Sequence, residues 1–206
     1  MTTEYYIEQE DKIVLHDTDR ERLQTTLTFM PQYAGLAIQE TEKEIIQLDN
    51  EFVFKDDKLE ELAEIERQKL VTKLYEIKAD KAYGGIIIND QLIFETNQIS
   101  ITNTVATLSL MPDQGTTNWK FYTVDGVPAI QPITKAQLYG LATFGQNMIN
   151  QCFSVEGAYN VQLQQATVAQ LNDEEWIDAF VESAQEAMDE VNNHMTATFS
   201  EPQVEE

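Results

Sequence analysis

The sequence predicts an α+β protein, and three observations predict it. Short β-branched and aromatic runs flank two- to four-residue turns, as hairpins require. Between them lie segments with apolar residues at helical spacing, each opened by a capping signal. The chain has 206 residues, 42% of them hydrophobic, with only 8 Gly and 5 Pro. That composition suits one sizeable core and argues against collagen-like, linker-rich or globally disordered classes.

The elements follow in order. Tyr5, Ile7, Ile13 and Leu15 alternate around Gln9-Glu10-Asp11-Lys12 and predict a hairpin. Thr18, with Glu21 three residues on, predicts a capping box. Leu23, Leu27 and Met30 give the helix its stripe, and Pro31 ends it. Residues 36–54 predict two strands, with Leu36 and Ile38 leading in, Ile45, Ile46 and Leu48 following, and Phe52-Val53-Phe54 after an Asp49-Asn50-Glu51 turn. Residues 1–55 therefore form a small ββαββ module.

Asp57, with Glu60, opens a long helix over 56–83 carrying Leu59, Leu62, Ala63, Leu70, Leu74 and Ile77. Glu66 and Lys69 interrupt the stripe, which favours packing on its own domain over a coiled coil with its sustained heptad. Gly84-Gly85 stops the helix. Ile86–Ile88 and Leu92–Phe94 flank Asn89-Asp90, a turn that tolerates positive φ. A helix with Ile101, Val105 and Leu108 runs over 97–111 and ends at Pro112. Trp119, Phe121 and Tyr122 precede a second hairpin turn, Asp125-Gly126. Thr134 and Gln137 cap a helix with Leu138, Leu141, Met148, Ile149, Cys152 and Phe153 on its apolar face. Residues 84–171 thus form an antiparallel hairpin and helix domain. An acidic amphipathic helix over 172–195 carries Trp176, Ile177, Phe180, Val181, Ala184, Met188 and Val191. A disordered tail is expected over 196–206.

The 13 basic and 36 acidic side chains leave a net charge of −23. That balance argues against direct binding to a nucleic-acid backbone, which needs cations to release counterions. Residues 84–171 carry only two basic and five acidic side chains, whereas 172–206 carry eleven acidic and none basic. No run reaches the roughly 20 apolar residues of a membrane helix, and the N-terminal residues lack the pattern of a signal peptide. A single cysteine, Cys152, leaves no intrachain disulfide and fits synthesis in a reducing cytoplasm.

Catalytic and metal motifs fail when tested. His16 and His194 lie outside any zinc-ligand spacing. Asp17, Asp19 and Glu21 alternate like the start of a calcium loop, but the sixth and twelfth positions are Arg22 and Thr28 instead of Gly and Glu. Cys152 sits on an apolar face as a small hydrophobe. Gly140 and Gly145 have the small-residue spacing of close helix packing. No catalytic, metal-binding or cofactor-binding residue is assigned and no cofactor is expected. Phe121 and Trp119 share a strand face, so Tyr122 points the other way and is the exposed aromatic. Tyr122, with Trp176 and Phe180 on the last helix, are the candidate protein-interaction residues.

Two stretches carry a family resemblance. Glu4-Tyr5-Tyr6-Ile7, Asp11–Leu15, Phe29-Met30-Pro31-Gln32-Tyr33, Ile45–Asp49 and Glu51-Phe52-Val53 resemble the N-terminal module of small phage and prophage proteins encoded near tail-fibre genes. From about residue 58 to 165 the order is a long charged helix, Gly84-Gly85-Ile86, Trp119 before Asp125-Gly126, Ile133-Thr134 with Leu138, and Cys152-Phe153. This stretch resembles a phage-associated domain of unknown function, the DUF4376 type. The helix after 171 lies outside that pattern.

The resemblance implies a non-enzymatic bacteriophage structural protein of the virion tail, baseplate or tail fibre. It would be made in the host cytoplasm, with tail or fibre proteins as partners and symmetric homo-oligomers in the particle. The alternatives are a tail-fibre assembly chaperone that docks its client on the last helix or on a strand edge, and an acidic mimic of nucleic acid directed at a host protein. The mimic requires carboxylates gathered on one exposed face. A glycosidase would need two carboxylates facing each other across a cleft, and the abundance of acids here points to no pair.

Overall fold

The computed structural model describes residues 2–197. It is an α+β protein with two five-stranded sheets, and the chain divides into two compact units. The first comprises residues up to Glu66 together with Thr167–Asn172. The second comprises Arg67–Ala166 and the described residues from Asp173 on.

The first unit is built on an antiparallel sheet of order β3-β1-β2-β5-β4, from β1 (Glu4–Gln9), β2 (Lys12–Asp17), β3 (Gln39–Thr41), β4 (Ile45–Leu48) and β5 (Glu51–Phe54). Both tight turns place two consecutive residues in the left-handed region. Glu10 and Asp11 have φ of 53° and 60°, and Asp49 and Asn50 have 48° and 67°. That geometry matches the twist of the strands it joins.

A bulge between Ile7 and Glu8 breaks the register, which runs Ile7↔Leu15 and then Glu8↔Ile13. The extra residue, Val14, lies on β2 and shifts the facing of that strand's side chains beyond Leu15. Tyr6 and Ile7 are buried in place of the expected Tyr5 and Ile7. The region read as two strands over 36–54 holds three, because Gln39–Thr41 pairs with β1. α1 (Arg20–Thr28) is capped by Asp19, not Thr18. The Asp19 carboxylate accepts from the amides of Glu21 and Arg22 at 2.9 and 3.2 Å. A carboxylate one residue later serves the positive helix end better than the hydroxyl.

A 3₁₀ turn over Lys55–Lys58 leads into α2 (Leu59–Tyr83), so the helix expected from Asp57 begins two residues later. The chain passes from the first unit to the second within α2. Its stripe is buried at Ala63, Leu70, Leu74 and Ile77, as packing within its own chain requires.

The second unit's sheet has the order β10-β6-β7-β8-β9, from β6 (Ile86–Ile88), β7 (Leu92–Phe94), β8 (Thr116–Thr123), β9 (Pro128–Thr134) and β10 (His194–Met195). β10 runs parallel to β6 and the other pairs are antiparallel. Gly85 joins α2 to β6 with φ +99°, and a Cβ there would stand 2.7 Å from Ile93 Cγ2 and 2.9 Å from the Phe94 carbonyl oxygen. Only glycine fits.

α3 (Gln98–Leu110) is capped by Asn97, whose side chain accepts from the Ser100 amide. α4 (Lys135–Gln165) opens on the expected Thr134–Gln137 capping box. At roughly 1.5 Å per residue it is about 46 Å long. It buries Leu138, Leu141, Met148, Ile149 and Cys152. Phe153, expected on that apolar face, is half exposed and lies over the Lys78 ammonium instead, 4.4 Å from Nζ to the ring centroid. Gly145 receives Ile86 and Thr96, each 3.2 Å from where a Cβ would stand, whereas Gly140 faces open space.

After α5 (Val168–Leu171), α6 (Glu174–Asp189) packs its apolar side on α4. It ends six residues before the expected boundary, and His194 lies in β10 instead of at a helix end. The peptide of Ala197 exchanges two hydrogen bonds with the Asn89 side chain, at 2.7 and 3.1 Å. The rest of the expected disordered tail, 198–206, lies outside the described residues.

Candidate functional site

The three aromatic candidates occupy different settings. Tyr122 on β8 is half-buried, opposite in direction to Phe121, as strand alternation demands. The Lys120 ammonium lies 4.4 Å from its ring centroid and donates to its hydroxyl. Phe180 is 6% exposed, T-shaped against Tyr159 at 5.6 Å and stacked on Trp176 at 5.2 Å. The Tyr159 hydroxyl donates to the Ser183 carbonyl at 2.8 Å, locking the same contact. Phe180 is thus a core residue between α4 and α6, with little surface for a partner. Trp176, half-buried, forms the rim of that core. The stripe of α6 proposed to dock a client continues through Ala184, Met188 and Val191, all buried within the chain.

The titratable residues singled out in the sequence are held by local structure. His16 pairs with the buried Glu4 carboxylate, with the Phe52 ring beside it at 5.8 Å. His194 Nδ1 stands 3.0 Å from Asp90 on the surface. Asp17 accepts both guanidinium arms of Arg22 at 2.6 Å and the Asp19 amide at 2.9 Å. The guanidinium bonds hold its carboxyl below the usual range. Asp19 therefore caps α1, and Asp17 holds the Asp19 amide and the Arg22 guanidinium beside it. Burial pushes the Cys152 thiol up, and its sulfur is inaccessible. Among the described residues no group of three His, Cys, Asp or Glu is arranged to hold a metal ion. No described helix is long and apolar enough to cross a membrane.

The second unit carries a surface made of residues whose apolar character suggests core. Residues 96–112 and 136–155 contain no Asp, Glu, Lys or Arg, and they form α3 and the first two-thirds of α4. The two helices pack together around Thr104, leaving a small apolar cavity of about 70 Å³ bounded by Phe94, Ile101, Ala142 and Ile149. The other side of α3 faces out. Ile99 is 74% exposed and Leu110 85%, while Val105, on the α4-facing side beside the cavity, is 58% exposed and Tyr139 of α4 is 65% exposed.

The hydroxyls of α3 do not make this side strongly polar. Thr102 and Ser109 donate to the carbonyls of Gln98 and Val105, four residues back, both at 2.8 Å. Such back-bonding satisfies each hydroxyl proton inside its own helix. A shallow groove alongside is lined by Val105, Leu108, Ala136 and Tyr139, with the 2.9 Å Lys135–Asp113 ion pair at its end. The signal was present in the sequence. Ile99, Ile101, Val105, Leu108 and Leu110 surround the helix instead of sharing one stripe, so one neighbour covers only part of them.

α6 presents the opposite character. Glu174, Asp178, Glu182, Glu186 and Glu190 recur every four residues, joined by Glu175 and Asp189, and all seven are exposed. At about 100° per residue they fall within one side of the helix, facing away from Phe180, Ala184 and Met188. The carboxylates are gathered, not scattered.

No family model, curated protein or solved structure matches the chain.

Proposed function

We propose that the chain is a non-enzymatic phage structural protein of the tail, baseplate or tail fibre, acting as an oligomer bound to other tail or fibre proteins in the virion. The resemblance of residues 4–53 and 58–165 motivates the phage context. The observation that carries the structural role is the α3 surface. Its outward side exposes Ile99, Ala106 and Leu110 and carries no charged side chain, on a chain of net charge −23. Contiguous apolar surface on a water-soluble scaffold marks a contact with another macromolecule. Mass spectrometry of purified virions tests the reading, and absence from the particle overturns it. If the protein is absent yet the solubility of the co-expressed fibre depends on it, the assembly-chaperone role replaces the structural one.

One observation favours a second reading. The seven exposed carboxylates on one side of α6 meet the requirement of an acidic mimic that engages a basic host protein in place of nucleic acid. Replacing Glu174, Asp178, Glu182 and Glu186 by neutral amides (Gln for Glu, Asn for Asp) tests it. The mimic reading requires host capture that weakens steeply with salt and disappears in the quadruple variant.

A further inference from the structure

We infer that the exposed side of α3 is the seat of a second copy of this chain, paired antiparallel about a two-fold axis. The inference rests on the structural reading above and deepens its oligomeric part.

The first argument is charge. Two chains of net charge −23 repel each other over most approaches, and the repulsion is strongest at low ionic strength. The α3–α4 surface, formed by two stretches free of charged side chains, is where like-charged copies meet at least electrostatic cost. A cationic partner would gain nothing there and would settle on the acidic parts, such as α6. An uncharged side that exposes Ile99 and Leu110 is what self-association of a polyanion requires.

The second argument is pattern. Ile99, Asn103, Ala106 and Leu110 are exposed and follow i, i+4, i+7, i+11, one straight stripe along α3. It is about 16 Å long at 1.5 Å per residue. A two-fold contact demands that if residue i meets j, then j meets i. The stripe meets that demand about its own midpoint, with Ile99 opposite Leu110 of the second copy and Asn103 opposite Ala106. The large side chains stand at the ends, and the small Ala106 at the centre lets the helix axes approach to roughly 8–10 Å. The groove lined by Val105, Leu108 and Tyr139 lies on the α4-facing side of α3, more than 100° around the helix from the stripe, and takes no part in the contact.

Sedimentation equilibrium of the full chain, up to about 100 µM, is the test. A dimer is expected whose association strengthens from low to high sodium chloride, because screening relieves the repulsion. Ile99→Glu and Leu110→Glu are each expected to weaken it at least tenfold. Circular dichroism should be unchanged, since both side chains face solvent. Should either glutamate variant lose helicity, Ile99→Ser with Leu110→Ser gives the same readout without added charge. A monomer at the top concentration in high salt overturns the inference, as does a dimer that survives these substitutions or weakens with salt. A monomer that is nonetheless found in virions sinks only the α3 pairing. A dimer absent from virions sinks only the structural reading.

Discussion

Lys78 offers the sharpest test of how the second unit is held together. It lies on α2 with 4% of its surface exposed. Its ammonium stands 3.1 Å from Glu156 Oε2 on α4 and sits between two rings, 4.2 Å from the Tyr75 centroid and 4.4 Å from that of Phe153. Lys78→Met keeps the length and the apolar stem but removes the cation. It leaves the mostly buried Glu156 carboxylate without its partner, a loss of about 3–5 kcal/mol for a buried pair. Loss of two ring contacts adds about 0.5–2 kcal/mol. Discounting for the share of Glu156 that water still reaches, the net is about 3 kcal/mol, a shift of roughly 1–3 M in urea midpoint at ordinary m-values.

Removing both charges should cost far less than removing one, because no unpaired buried ion remains. Lys78→Met with Glu156→Leu is therefore expected to recover most of the loss. Both tryptophans, Trp119 and Trp176, belong to the second unit, so their fluorescence reports its urea unfolding directly. If Lys78→Met leaves the midpoint in place, or if the double variant is as unstable as the summed singles, the pair is not a coupled buried unit and the reasoning fails.

Four further outcomes follow from the same structure. Gly140→Ala and Gly157→Ala should each raise thermal stability by up to about 1 kcal/mol, the helix-propensity gain, since neither Cβ meets an atom within 4 Å. Gly145→Ala should forfeit that gain against Ile86 and Thr96, and Gly85→Ala should lower stability more than any of them. Glu10→Asn should stabilise the first hairpin by roughly 0.5 kcal/mol in chemical denaturation, because asparagine tolerates the φ of 53° better. The Asp17 carboxyl is depressed by its bonds to Arg22, so its stabilisation is present above the unfolded carboxyl pKa and is lost as pH falls through the folded one. Arg22→Gln should lower stability at neutral pH, and the difference from the parent, followed by circular dichroism, should vanish in acid. A disulfide reagent at mildly alkaline pH should label Cys152 only at the rate at which the second unit opens, because the sulfur is covered and its thiol pKa is raised.

Much of the fold was legible because its signals are local. The Asn89-Asp90 turn, the Thr134–Gln137 capping box, the Gly84-Gly85 stop and the period of α2 each depend on neighbours within about one turn of chain, where steric and hydrogen-bonding preferences act directly. The direction of Tyr122 followed from strand alternation alone. The sequence by itself determined the α+β class, most of the elements and the uneven charge.

Tertiary structure decided what depends on distant partners. Tyr6 turned inward beside Ile7, β10 joined β6 across more than a hundred residues, and α4 covered Phe180 with Tyr159. It also left one side of α3 uncovered, so residues that read as core face water. Burial is a property of what lies opposite a side chain in space, and composition along the chain carries no record of which apolar face finds a neighbour.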